Sequence, residues 1–239
     1  MVLSDPDQIR RHAEDLSETG VVAIRNYLDE ATCDKIYQQA NDIIVNESCD
    51  VIEENRAASA KELFEWEGTV INKRSGRDAG VYDVAQIDDS IEELREFKQD
   101  PVISDIINSA TATTHRPLST HIYWKQSIVE TRGPHHDSLG EKFKAFVYLT
   151  DVNTKSHGPY AYVEGSHDPS FVEKAITVTK NKMQGKAKTD SVLYDEEDAT
   201  YFIAPRGTLI ISNQSGVHFG VPQRESYERM LATTHYESQ

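Results

Sequence analysis

Near Pro117 the hydrophobic periodicity of this chain changes character, and that one change excludes most folds. Before it, apolar residues recur at helical spacing. After it, they fall in short β-branched and aromatic runs punctuated by Gly, Pro and Asn. In the first half, Ser4 to Asp7 read as a helix start, with Pro6 in the first turn. That helix runs to about Glu18, and Gly20 ends it. VVAIRNYL (21–28) reads as a strand, and Asp29 or Glu30 opens a second helix with Ile36, Ala40, Ile43 and Ile44 at helical spacing. Two more helical patterns cover 90–97 and 100–109, the second opened by Asp100-Pro101. The stretch from Asn46 to about Gly80 is mixed and receives no element; it holds a basic cluster, Lys73, Arg74 and Arg77.

The second half reads as strands: LSTHIYWKQSIV, KFKAFVYLTDV, AYVEG, TYFIAP, GTLIISN and ERMLATTHY. A helix-like segment at 169–179, followed by NKMQGKAKT, interrupts the series. Helices grouped first and strands grouped second do not suit an alternating βαβ fold. They suit a mainly β protein, an antiparallel sandwich or barrel with helices on one face. The 239 residues fit a single domain, with a helical part over about 1–115 and a strand-rich core over about 116–239. On the strand KFKAFVYL, Lys144, Phe146 and Tyr148 share one face and Ala145, Val147 and Leu149 the other. Alternation alone leaves open which face lines the interior.

The net charge of −15 repels nucleic-acid phosphate and anionic membrane surfaces, so neither is expected as a partner. The two cysteines, Cys33 and Cys49, read as free thiols. The N-terminus lacks the apolar stretch of a signal peptide, and no window of about 18 apolar residues occurs. A cytoplasmic, monomeric protein is the expectation.

Pro134-His135-His136-Asp137-Ser138 is the informative motif. In extended backbone, residues i and i+2 point the same way, so His135 and Asp137 converge while His136 turns away. A third ligand must come from elsewhere, and His218, after GTLIISN and before a turn, is the best candidate. Two imidazoles and one carboxylate on one face of a metal leave the opposite positions open, which suits Fe(II). Alone, an H-x-D pattern in a chain with nine histidines also fits a polar turn.

Four ordered segments add context. GVVAIRNYLDEATCDKI, HHDS with KAFVYLTDV, HGPYAYVEGSH, and GTLIISNQSGVHFG with ERMLATTHY together resemble the phytanoyl-CoA dioxygenase family of 2-oxoglutarate oxygenases. The resemblance implies a double-stranded β-helix (jelly roll) with N-terminal helices bracing one sheet. It implies Fe(II) held by His135, Asp137 and His218, with 2-oxoglutarate and O2 as cosubstrates. It also places the far carboxylate of 2-oxoglutarate on Arg229, eleven positions after His218. A guanidinium fork suits that task, and Arg229, Leu231 and Thr233 share one strand face, whereas Arg224 sits in a turn. Glu164 departs from the family's usual proline. Asp137 keeps the carboxylate that related halogenases replace with a small residue.

The implied reaction is hydroxylation, or another oxidation, of a C–H bond in a small molecule, with release of succinate and CO2. Tyr123 and Gln126, on the strand before the iron motif, are candidate contacts to cosubstrate, and Gln126 also to substrate. The lysine-rich insert (Lys180, Lys182, Lys186, Lys188) with Lys73, Arg74 and Arg77 suggests a basic lid over an anionic substrate, against the alternative of a solvated loop. Two rivals stay open: a cupin-like metalloenzyme that uses no oxo acid, and a non-catalytic binding protein.

Overall fold

The computed structural model describes residues 5–52, 60–74, 80–128, 130–138, 140–185, 189–224 and 226–239. Helix α1 (Pro6–Thr19) starts where Asp5 accepts the Asp7 N–H at 3.0 Å. It stops at Gly20, whose φ of 83° lets its N–H return to Leu16 O. A Cβ at Gly20 would lie 2.5 Å from His167 Nδ1, so the small residue also keeps room for that ring. Strand β1 (Val21–Ile24) is shorter than its apolar run predicts. Asn26 adopts φ 56°, and the Tyr27 and Leu28 N–H groups turn away to Gly207 O. Asp29 caps α2 (Glu30–Asn46) by accepting from Thr32 N–H.

The unassigned stretch holds β2 (Asp50–Ile52), α3 (Ala60–Glu65) and β3 (Val70–Lys73), and β4 (Val81–Ala85) follows directly after it. Each is too short for its period to show in sequence. Helices α4 (Glu92–Gln99) and α5 (Pro101–Ala110) follow. The strand-rich part comprises β5 (His115–Gln126), β6 (Phe143–Tyr148), β7 (Tyr160–Tyr162), α6 (Phe171–Gln184), β8 (Thr200–Phe202), β9 (Leu209–Asn213), β10 (His218–Gly220) and β11 (Glu228–Ser238).

Eight strands form one sheet in the order β1-β9-β6-β11-β5-β4-β3-β2, and β10-β7-β8 form a second. All pairings are antiparallel except β2 with β3. The two sheets make a jelly roll. On the large sheet's outer face, Ala145, Val147, Ile211 and Met230 pack with Leu16, Ile36, Leu94 and Ile103 from the helices. On its inner face, Phe146, Tyr148, Ile210 and Leu231 meet Tyr162 of the small sheet. That decides the face left open by alternation: Lys144, Phe146 and Tyr148 point inward. Cys33 and Cys49 are free thiols, and no described helix is long and apolar enough to cross a membrane.

Asp100 ties the helical layer together. It is 3% exposed, caps α5 by accepting the Val102 N–H at 2.9 Å and accepts Tyr27 O–H at 2.5 Å. Asp100→Ala removes a cap and strands a buried hydroxyl, so urea unfolding should show a loss of about 2–3 kcal/mol.

Candidate metal centre

His135, Asp137 and His218 come together, with one ligand atom from each lying within 4.8 Å of the others. The backbone arranges this. His135 N–H donates to His218 O at 3.1 Å, and His218 N–H donates back to His135 O at 2.9 Å. The H-x-D segment is not a full strand: His135 forms isolated bridges to Asp190 and His218. Further bonds hold it extended, from His136 N–H to Thr189 O and from Asp137 N–H to Gln214 O. His136 therefore turns away, and its Nδ1 meets Ser215 O at 2.6 Å.

Each ligand histidine has its tautomer set by a nearby carbonyl. His135 Nδ1 donates to Gly133 O at 2.7 Å, and His218 Nδ1 donates to Gly216 O at 2.9 Å. Both Nε2 lone pairs are thereby presented to Asp137, at 3.4 and 3.6 Å. Tyr162 stacks on His218 with a 10° interplanar angle and donates to Asn213 O. A Cβ on Gly216 would lie 1.9 Å from the Tyr162 hydroxyl, so only glycine lets ring and carbonyl both reach His218.

Lys144 Nζ donates to Asp137 Oδ2 at 2.5 Å. Partial burial opposes charge on Asp137, yet the Lys144 ammonium beside it holds it well below the usual carboxylate range. Burial likewise opposes the Lys144 ammonium, and Asp137 outweighs it, raising the lysine. Burial lowers His218, so its imidazole is neutral and able to ligate near neutral pH. The donor set, two imidazoles and a carboxylate with the remaining side open to a cavity, fits Fe(II).

That cavity has a volume of about 470 Å³ and lies between the sheets. From β11, Arg229, Leu231, Thr233 and His235 all line it. Arg229 is 4% exposed. It donates to Gly158 O, its Nε has no partner, and burial pulls it below its ordinary value. No carboxylate among the described residues pairs with it. Thr233 Oγ1 and Gln214 Oε1 are likewise buried without a partner along the same cavity. Such orphaned atoms mark a place for ligand.

Of the other sequence candidates, Tyr123 lines the cavity, whereas Gln126 lies on the opposite face of β5 and is exposed. Residues i and i+3 of a strand cannot share a face. Arg74 reaches the cavity while paired with Asp83 at 2.6 Å. Lys73 pairs instead with Glu47, outside the lining. Lys182 is exposed on α6 and does not line the cavity; Arg77, Lys186 and Lys188 lie outside the described residues. Arg224 is exposed and does not line the cavity, so of these two neighbouring arginines Arg229 is the one that enters it. Sequence reasoning missed Lys142 and His235 as cavity residues and left the face of Lys144 open. Carrying the alternation from Arg229 two steps beyond Thr233's neighbour Leu231 reaches His235, so that signal was present.

The family model for phytanoyl-CoA dioxygenase matches residues 16–224. The chain belongs to the phytanoyl-CoA dioxygenase family. Its members are iron- and 2-oxoglutarate-dependent enzymes. No curated protein sequence matches. Among solved structures, the chain is similar to the α-ketoglutarate-dependent epimerase SnoN of nogalamycin biosynthesis, in complex with Fe3+, α-ketoglutarate and nogalamycin RO. The TM-score is 0.67 at 17% identity, covering 98% of this chain and 85% of that one. The carbocyclase SnoK of the same biosynthesis gives 0.66 at 19% identity, covering 95% and 82%. HygX from Streptomyces hygroscopicus, with nickel, 2-oxoglutarate and hygromycin B bound, gives 0.62 at 13%, covering 96% and 87%. At these identities the likeness speaks for the fold.

Gly216→Ala should weaken Mn(II) affinity about 10–100-fold by displacing His218 through Tyr162, measured calorimetrically with the fold checked by circular dichroism. A second expectation concerns pH. His121 is pushed down to about 4, burial outweighing the opposing charge of Asp83. Above about pH 6.5 neither folded nor unfolded imidazole is charged; between there and pH 4 only the unfolded one gains a proton. Stability of the metal-free protein should therefore fall with pH across that window, by up to about 3 kcal/mol from this residue. His121→Phe should flatten the fall in urea midpoints.

Proposed function

We propose that this chain is a single-domain Fe(II)- and 2-oxoglutarate-dependent dioxygenase that oxidises, by default hydroxylates, a C–H bond of a small-molecule metabolite, releasing succinate and CO2. The observation that carries this reading is Arg229: a buried guanidinium with no carboxylate among the described residues, lining the same cavity as the His135–Asp137–His218 cluster. A buried cation without a counter-charge is costly, and a dicarboxylate cosubstrate removes that cost.

In this assignment His135, Asp137 and His218 hold iron through two Nε2 atoms and a carboxylate oxygen. Arg229 takes the far carboxylate of 2-oxoglutarate, with Thr233 Oγ1 and Tyr123 as further polar groups on the wall. When bound, the iron and its cosubstrate supply oxygen activation, and decarboxylation drives removal of hydrogen from a nearby C–H bond. The chain's own part is positional. Phe146, Tyr160 and Leu231 line the interior and exclude water. Carbonyls of Gly133 and Gly216 keep both imidazoles in the ligating tautomer. Substrate enters the same cavity beside the metal. The structural relatives include an epimerase and a carbocyclase, so the fold serves outcomes other than hydroxylation.

Anaerobic addition of Fe(II) and 2-oxoglutarate to metal-free protein should give the visible charge-transfer band of the chelate. Arg229→Ala should weaken 2-oxoglutarate by at least about a hundredfold, because two charge-assisted bonds are lost. A band of unchanged midpoint in Arg229→Ala would sink the cosubstrate assignment and favour a metalloenzyme that uses no oxo acid.

A further inference from the structure

The cavity carries more positive charge than the proposed centre uses. Besides Arg229, it is lined by Arg74, Lys125, Lys142 and Lys144, whereas its acidic lining is Asp137 and Glu237. Those acids are already engaged. Glu237 pairs with Arg116 at 2.6 Å, and Asp137 belongs to the metal cluster. Arg74 is matched by Asp83. Lys142 and Lys144 differ. Lys144 is the second residue of β6 and Lys142 immediately precedes the strand, so the two stand two residues apart in sequence, and both reach the cavity. Lys142 is exposed and has no carboxylate partner among the described residues. Lys144 has one, Asp137, at 2.5 Å.

Metal binding changes that balance. A dication on Asp137 claims the charge that Lys144 now uses, and it leaves two ammonium groups on one wall without a counter-ion. The neighbourhood already registers their field: after burial, Lys144 is the next cause holding His235 well below its ordinary value, and Lys142 adds to it. Lys144 also lowers His121 and His218. Neutral His235 lies beside Tyr123, whose hydroxyl it meets at 3.3 Å, and beside Phe64 at 4.9 Å between ring centroids. An anionic group and an apolar body are what such a wall accommodates.

Resting on the oxygenase reading, we propose that the substrate bears an oxyanion, a carboxylate or a phosphate ester, that Lys142 and Lys144 hold at the cavity wall once metal occupies Asp137. These are not the residues of the lysine-rich insert, of which Lys182 is outside the cavity.

The test uses full-length protein, anaerobic, with Fe(II) and saturating 2-oxoglutarate so that Arg229 is occupied. Benzoate, phenyl phosphate and benzamide are titrated by calorimetry, with and without metal, while the chelate band is recorded in the same samples. One of the two anions should bind at least about tenfold more tightly than neutral benzamide, and only in the metal-loaded protein; which anion wins separates carboxylate from phosphate. Lys142→Met should remove the preference and Lys142→Arg should restore it, a pattern that loss of packing does not produce. If the chelate forms but benzamide binds as well as either anion, if no anion binds, if metal-free protein binds the anion equally, or if Lys142→Met keeps the preference, this inference is overturned and the oxygenase reading stands. If no chelate forms, the oxygenase reading fails and takes the inference with it.

Discussion

Two backbone hydrogen bonds, exchanged between His135 and His218 at 3.1 and 2.9 Å, are the contact on which the rest of the centre depends. They join a non-regular segment to β10 and therefore to the small sheet. Without them the two imidazoles come from parts of the chain with no shared register. With them, the distance between the ligand rings, 4.7 Å between centroids, is set by peptide geometry and not by side-chain packing. Everything else at the centre adjusts from that base: Gln214 O takes the Asp137 N–H, and the carbonyls of Gly133 and Gly216 turn the rings. A site made this way is rigid because moving one ligand breaks backbone bonds of another.

The same sandwich divides labour between its faces. Helices α1, α2, α4 and α5 cover the outer face of the large sheet with aliphatic residues, which leaves the inner face free to carry charged and polar groups. A sheet with both faces solvated could not keep Arg229 4% exposed. The apolar backing thus makes a low-dielectric cavity in which a few charges decide what binds.

Much of this was legible in the sequence, for identifiable reasons. Caps and glycines announced α1, α2 and α5, because Asp5, Asp29 and Asp100 must accept orphaned N–H groups and Gly20 must adopt a positive φ. Period-two alternation put His135 with Asp137 and Arg229 with Thr233, and the structure gathers both pairs around one cavity. What stayed hidden were β2, β3 and β4, short strands that join the sheet in series, through the long-range pairing of β4 with β5. Gln126 was misjudged through its chemistry, since an amide looks useful near a cosubstrate while its register points it outward. Lys144 was assigned to a face but not to a partner, because no local pattern announces a contact between a strand and a loop seven residues earlier.

The lysine on Asp137 also bears on how the ligand segment is held. A half-hidden carboxylate between two imidazoles is costly to fold around unless a positive group meets it. Here the chain supplies that group from its own large sheet: the Lys144 ammonium donates directly to the carboxylate. The loop that carries two of the three ligands is thereby moored to β6 through a side chain and to β10 through its backbone.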